Sequence, residues 1–417
     1  MTAAASARHA GAPADVREGA LEATGPHDTP PAARGRDAGY HPALPTNRAL
    51  RALSLPLALL VACRAERPAP ASPGPPLLDA AAAARLFPII KKEPTLYRYD
   101  PVALLVRAPF GEESWPLPEH PAGRVVLRAN NLGFGRDQPT RLAKSGLRIL
   151  VAGDSHTHGM VNNAESFPNV LERLLAASHP EARYEVLNAG VGFTGPSCHL
   201  GMLRKQLPLA PDAFVAVLFT GNDFSDEVLL DDAVHERAGP AGTGPYMDRL
   251  QAATSLKAAL VYQGANQAYH FKHFPARARL GLELALRAYQ EMKRLCREHD
   301  IAFLAAVLPT KPDVDADDRA TFAKTLAALE MTEAEYAINA RLGDELGEAL
   351  HRGGIPCLDL AGALRAAPGV HYWKLDYHLD VAGHAVAAAA LRAALEPLLA
   401  ERAARAASPA DEDRRPR

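Results

Sequence analysis

From residue 147 onward the chain alternates between two hydrophobic patterns. Short apolar, β-branched runs read as strands: LRILVAG (147–153), YEVLNAGV (184–191), AFVAVLFTG (213–221), IAFLAAVLP (301–309) and IPCLDL (355–360). The intervening ESFPNVLERLLAA, PSCHLGMLRKQL, ARLGLELALRAYQEMKRLCREH and EYAINARLGDELGEALHRG repeat apolar residues at i, i+3 and i+4 and read as helices. A last helical run, AGHAVAAAALRAALEPLLAERAA, closes the series. Apolar strands alternating with amphipathic helices predict βαβ units and a parallel sheet covered on both faces. The expected unit is one α/β domain over 146–403, followed by a charged, Pro-containing, disordered tail at 404–417.

Before that domain the pattern is weaker. Residues 79–145 read as a mixed segment of short elements and several prolines, and 64–78 as a Pro/Ala-rich linker. Residues 47–63, NRALRALSLPLALLVAC, have a basic start, an apolar stretch too short to span a bilayer, and a terminal cysteine. That is the layout of a secretory signal, and Leu60-Val61-Ala62-Cys63 resembles the bacterial lipobox, in which the cysteine is lipidated. The expectation is an exported, membrane-anchored lipoprotein of the cell envelope or periplasm, held through Cys63; a short buried helix ending in Cys is the alternative. Residues 1–46 are rich in Ala, Gly, Pro, Arg and Asp, read as disordered, and suggest a translation start nearer residue 44. Inside the domain, the connection 225–275 is long and holds Tyr262, Tyr269, Phe271 and Phe274; it reads as a lid or substrate wall, or as packing for the N-terminal segment.

Composition narrows the function by exclusion. A formal net charge of -2 across 417 residues gives no electrostatic case for nucleic acid. The four cysteines, Cys63, Cys198, Cys296 and Cys357, show no CxxC and no zinc-ribbon spacing. Cys198, Cys296 and Cys357 read as buried rather than reactive, with a Cys296–Cys357 bond open to an exported protein.

In doubly wound sheets ligands bind beyond the carboxyl ends of the strands, so polar residues just after each strand carry the chemistry. Four places qualify. Gly153-Asp154-Ser155 offers a serine at a strand-to-helix turn, whose own N–H can hold an oxyanion. NAGVGFTG (188–195) offers backbone N–H groups, and lacks the GxGxxG of a phosphate cradle. Thr220-Gly221-Asn222-Asp223 offers an amide donor. KLDYHLDVAGH (374–384) places Asp376 two residues from His378, so the carboxylate can hold Nδ1–H and leave Nε2 to take a serine proton. Each alone has an ordinary reading: an N-cap, a turn, a surface histidine. Asp380 reads as the cap of the last helix, with His384 inside it. His156 and His158 sit near Ser155, but i,i+2 side chains diverge by about 200° on a helix and no third ligand is close, so no metal is expected. His156 is expected to turn its ring away from the serine, with the pair lining the pocket mouth.

Together the four blocks resemble the SGNH (GDSL-type) hydrolase superfamily, over about residues 145–403. The resemblance implies a flavodoxin-like three-layer α/β/α sandwich with five parallel strands in order 2-1-3-4-5, and ester chemistry without a cofactor or metal. It implies Ser155 as nucleophile, His378 as general base and Asp376 as its orienter. The oxyanion donors would be the N–H of Ser155, a backbone N–H of Gly192 or Phe193, and the side chain of Asn222. Asp-x-His in place of the commoner Asp-x-x-His is similar to the branch holding polysaccharide O-acetyltransferases. Three functions follow: a serine esterase acting on a small-molecule or glycan ester, an acyltransferase to a sugar hydroxyl, and an inactive envelope glycan binder.

Overall fold

The computed structural model describes residues 77–239 and 264–407. Cys63, the signal-like segment, the extension before it, most of the linker, the middle of the 225–275 connection and the end of the tail lie outside the described residues.

Among the described residues the first elements are two short helices, α1 (Ala80–Leu86) and α2 (Ile89–Lys92), with Asp79 capping α1 by accepting the Ala82 N–H. Two antiparallel hairpins follow, β1 (Tyr97–Asp100) with β2 (Leu104–Arg107) and β3 (Glu112–Pro116) with β4 (Arg124–Arg128). Then come β5 (Leu147–Ala152), α3 (Ser155–His158), α4 (Phe167–Ser178), β6 (Tyr184–Asn188), α5 (Pro196–Gln206), β7 (Ala213–Phe219) and α6 (Asp223–Val234). The chain continues through α7 (Ala265–His273), α8 (Pro275–Glu298), β8 (Ala302–Leu308), α9 (Lys311–Val314), α10 (Ala316–Ala328), α11 (Glu333–Tyr336) and α12 (Ile338–Arg352). It ends with β9 (Cys357–Asp359), α13 (Leu360–Ala366) and α14 (Val381–Ala407).

The central sheet runs β6-β5-β7-β8-β9 with every pairing parallel. Counting these strands from one gives 2-1-3-4-5, the flavodoxin-like order. Every residue of β7 and β8 is buried, so neither strand has a polar face to alternate with. Leu150, Ala152, Phe214, Ala216 and Leu218 point to one side, against α5, α8 and α12. Ile149, Val151, Val215 and Val217 point to the other, against α4, α13 and α14. Two covered faces at strand period 2 make the three layers.

The strands stop short of the apolar runs that predict them. After Asn188 the chain leaves the sheet, although the Ala189 and Val191 N–H groups still bond Val151 and Gly153 carbonyls, which lays the 189–195 loop over the end of β5. The N-terminal elements share the main core: Leu78, Ala83, Phe87, Tyr97, Leu104, Leu105 and Phe134 pack in the cluster that contains α5 and the sheet. Leu117, Val125 and Leu127 form a second cluster with Val161 and Trp373. Cys198, Cys296 and Cys357 are free thiols, so Cys296 and Cys357 are not bonded to each other, and burial pushes all three thiols up in pKa. Among the described residues no helix is long and apolar enough to cross a membrane.

Candidate active site

Ser155 stands at the carboxyl end of β5. A Cβ on Gly153 would meet Thr157 Oγ1 at 2.0 Å, so only glycine lets the chain turn this tightly into α3. Asp154 is the cap, its Oδ1 accepting the His156 N–H at 2.9 Å, and Ser155 is therefore the first helical residue. Gly190 lets the loop after β6 close on α3, since a Cβ there would lie 2.3 Å from the His158 nitrogen.

The partners of Ser155 come from the loop before α14. Ser155 Oγ lies 2.8 Å from His378 Nε2, and His378 Nδ1 lies 2.6 Å from Asp376 Oδ1. The same carboxylate oxygen accepts the His378 backbone N–H at 3.1 Å, a bond made possible by the two-residue spacing. The loop is braced from three directions. Trp373 N–H donates to the His378 carbonyl, and the Trp373 indole donates to the Met160 carbonyl at 3.0 Å. Glu119, from the N-terminal segment, accepts the Lys374 and Leu375 N–H groups at 2.6 and 2.9 Å. Asp380 accepts the Gly383 N–H and caps α14, and His384 lies buried within that helix, its Nδ1 accepting the Phe167 N–H.

Burial penalises the His378 imidazolium, but the charge and hydrogen bonds of Asp376, aided by the charge of Asp154, outweigh it and raise its pKa above the ordinary 6.5. Asp376 itself is pushed up by burial and pulled further down by the charge and N–H groups of His378, ending below the usual carboxylate range. A base must be neutral to accept a proton. The rate of any reaction that uses His378 as base should therefore fall as pH drops through this raised pKa, with an acid limb in kcat/KM centred above 6.5. A pH profile on an ester substrate checks it.

His156 departs from expectation. It is fully buried rather than at the pocket mouth, with its ring 4.5 Å from the His378 ring and 4.0 Å from Phe219. It forms the floor under the His378 imidazole. His158 does line the cavity, and burial first, then the charge of Arg107, hold it neutral.

Ser155, His378, Gly192, Phe193 and Asn222 line one cavity of about 1010 Å³. A Cβ on Gly192 would sit 3.6 Å from Ser155 Cβ, and Phe193 takes the left-handed conformation at φ 67° and is 61% exposed. Neither N–H is used in a backbone hydrogen bond among the described residues. Asn222 caps α6 without a side-chain capping bond, and its Nδ2 donates instead to Asp226 Oδ2 at 2.7 Å.

The opposite wall draws on the N-terminal segment, which the sequence did not signal, and on the 225–275 connection, one reading of which was a substrate wall. Leu96 just before β1, and Tyr97, Glu113 and Trp115 of the N-terminal hairpins, with His270 and Arg277 of α7 and α8, complete the cavity. His270 Nε2 accepts from Arg277 Nε at 2.8 Å, whereas His273 packs on Tyr269, so the two histidines have separate surroundings. Among the described residues no group of three or more His, Cys, Asp or Glu is placed to hold a metal ion.

The sheet has the flavodoxin-like strand order, and a hydrogen-bonded Ser, His and Asp stand at its carboxyl edge. The model of the GDSL-like lipase/acylhydrolase family matches residues 151–386, more than half of the chain, and the chain belongs to that family. It is an ester-bond hydrolase. No curated protein matches it. Among solved structures it is similar to an alpha/beta hydrolase enzyme from the metagenome of Lake Arreo, Spain, at 15% identity and TM-score 0.38, over 62% of this chain and 99% of that one. An acetyl xylan esterase matches at 15% identity and TM-score 0.37, over 60% and 100%. A GDSL-like lipase from Bacteroides thetaiotaomicron VPI-5482 matches at 11% identity and TM-score 0.30, over 60% and 88%. At such scores the likeness adds nothing to the strand order itself.

Proposed function

We propose that Ser155, His378 and Asp376 are the nucleophile, general base and orienting carboxylate of a serine esterase acting on acyl or acetyl esters. The observation that carries this is the continuous chain of hydrogen bonds from Ser155 Oγ through His378 to Asp376, at 2.8 and 2.6 Å. Oγ attacks the ester carbonyl as Nε2 takes its proton. The tetrahedral oxyanion is held by the Ser155 N–H, by Gly192 or Phe193 N–H, and by Asn222 Nδ2. Its collapse breaks the ester C–O bond, and His378 returns the proton to the leaving alcohol. Water, deprotonated by His378, then releases the acid from the acyl-enzyme and restores Ser155.

A second reading replaces water by a sugar hydroxyl. The volume of about 1010 Å³ favours it, because an acetyl group fills little of that space and an alcohol partner can share it. The rest of the proposal follows the sequence: residues 47–63 direct export, Cys63 carries a lipid anchor, and 64–78 tether the catalytic domain to the envelope.

The test is turnover of p-nitrophenyl acetate and longer-chain esters by the purified protein, with and without a sugar acceptor. Hydrolysis predicts nitrophenol and free acid in either case. Acylated sugar would select transfer. No turnover of any ester and no acylated sugar would contradict both and leave the binding role.

A further inference from the structure

We infer that Asp226 is the positioning residue for Asn222, holding the amide so that its N–H edge, and not its oxygen, serves the oxyanion. The inference rests on reading Asn222 as an oxyanion donor. An asparagine that caps a helix ordinarily turns its Oδ1 onto the N–H groups of the first turn. Asn222 does not: no capping bond forms, and its Oδ1 is buried with no partner among the described residues. Left to itself, the amide would rotate to use that oxygen. What opposes rotation is Asp226, one turn along α6, which accepts from Nδ2 at 2.7 Å. An ionised carboxylate only accepts, so it selects the amide nitrogen and repels the amide oxygen. Nδ2 carries two hydrogens. With one committed to Asp226, the second remains for the oxyanion in the cavity that Asn222 and Ser155 both line. The backbone supports the same geometry, because Ser225 Oγ donates to the Asn222 carbonyl at 2.8 Å.

The selection depends on charge. A protonated Asp226 can donate to Oδ1, and the flipped amide is then equally well held. The groups facing Asp226 are Asp154 from α3, Asp223 and Glu227 on its own helix and Cys198 on α5, with His270, Arg277 and His378 around the shared cavity. Burial first, then the charges of Asp154 and Glu227, push Asp226 up to about 7 despite the Asn222 bond, so the switch falls in the working pH range. The full rate then needs two deprotonations, of His378 to accept the serine proton and of Asp226 to hold the amide.

The test is a double-mutant cycle between Asn222→Ala and Asp226→Asn, read as kcat on an ester, with the wild-type pH profile beside it. Asp226→Asn keeps size and shape but holds either amide orientation. It should lower kcat about tenfold with KM within about twofold, and should cost nothing further in the Asn222→Ala background. The wild-type acid limb of log kcat/KM should be steeper than a slope of one over about one pH unit near pH 7, against about one throughout in Asp226→Asn. Loss that adds in full to that of Asn222→Ala overturns the positioning role and leaves the oxyanion role of Asn222 intact. An Asn222→Ala variant with unchanged kcat overturns both. If Asp226→Asn fails to fold, Asp226→Ala takes its place in the cycle, with the same expected lack of additivity.

Discussion

Replacing Ser155 by alanine should lower kcat on an ester by at least about a thousandfold, roughly 4 kcal/mol of barrier, with the thermal midpoint nearly unchanged. The proposed chemistry routes every bond change through Oγ. The residual rate would come from the oxyanion donors and from binding, which alanine leaves in place. Stability should hold because Oγ contributes one hydrogen bond at the edge of an open cavity, while α3 is fixed by Asp154 and by the close packing at Gly153 and Gly190. Ser155→Ala combined with His378→Ala should be little worse than either alone, since the two act as one unit. Kinetics on the three variants, with melting curves, check both halves; additive losses would mean that the serine and histidine work separately.

The second large effect is expected from Asp376→Asn. Asparagine keeps the shape, and its oxygen can still accept the two His378 N–H bonds that now converge on Oδ1. What disappears is the negative charge that opposes the burial penalty on the imidazolium. With that charge gone, burial prevails and the His378 pKa falls. The plateau rate should drop on the order of 10²–10⁴-fold, because the imidazolium formed during attack is no longer stabilised. The acid limb should move to lower pH as the plateau drops. A reduced rate with an unmoved limb would assign Asp376 a structural role only.

The sheet was legible because its strands are buried on both faces and read as unbroken apolar runs. Once the strands were placed, the strand-end rule led to Ser155, Asn222, Asp376 and His378 without knowledge of any contact, and the structure brings Ser155, Asp376 and His378 into one hydrogen-bonded chain. What stayed hidden is what joins distant segments. Glu119 grips the backbone of Lys374 and Leu375, more than 250 residues away, and no periodicity marks it. Trp115 and Tyr97 reach the cavity from hairpins too short to show a pattern against the prolines around them. His156 was misplaced for a related reason: which way a side chain leaves a single turn of helix depends on the space beneath it, here the gap between Phe219 and His378. The long connection resolves at its ends into α6 and α7, and Asp226 and His270 on these helices give it a wall of the cavity.

The most direct test of the account is covalent trapping. The intact protein, treated with a fluorophosphonate, should gain one adduct per chain on Ser155, identified by peptide mass spectrometry, and lose it in His378→Ala. An active enzyme that stays unlabelled, or that carries the adduct on another residue, would contradict the assignment of Ser155 as the nucleophile.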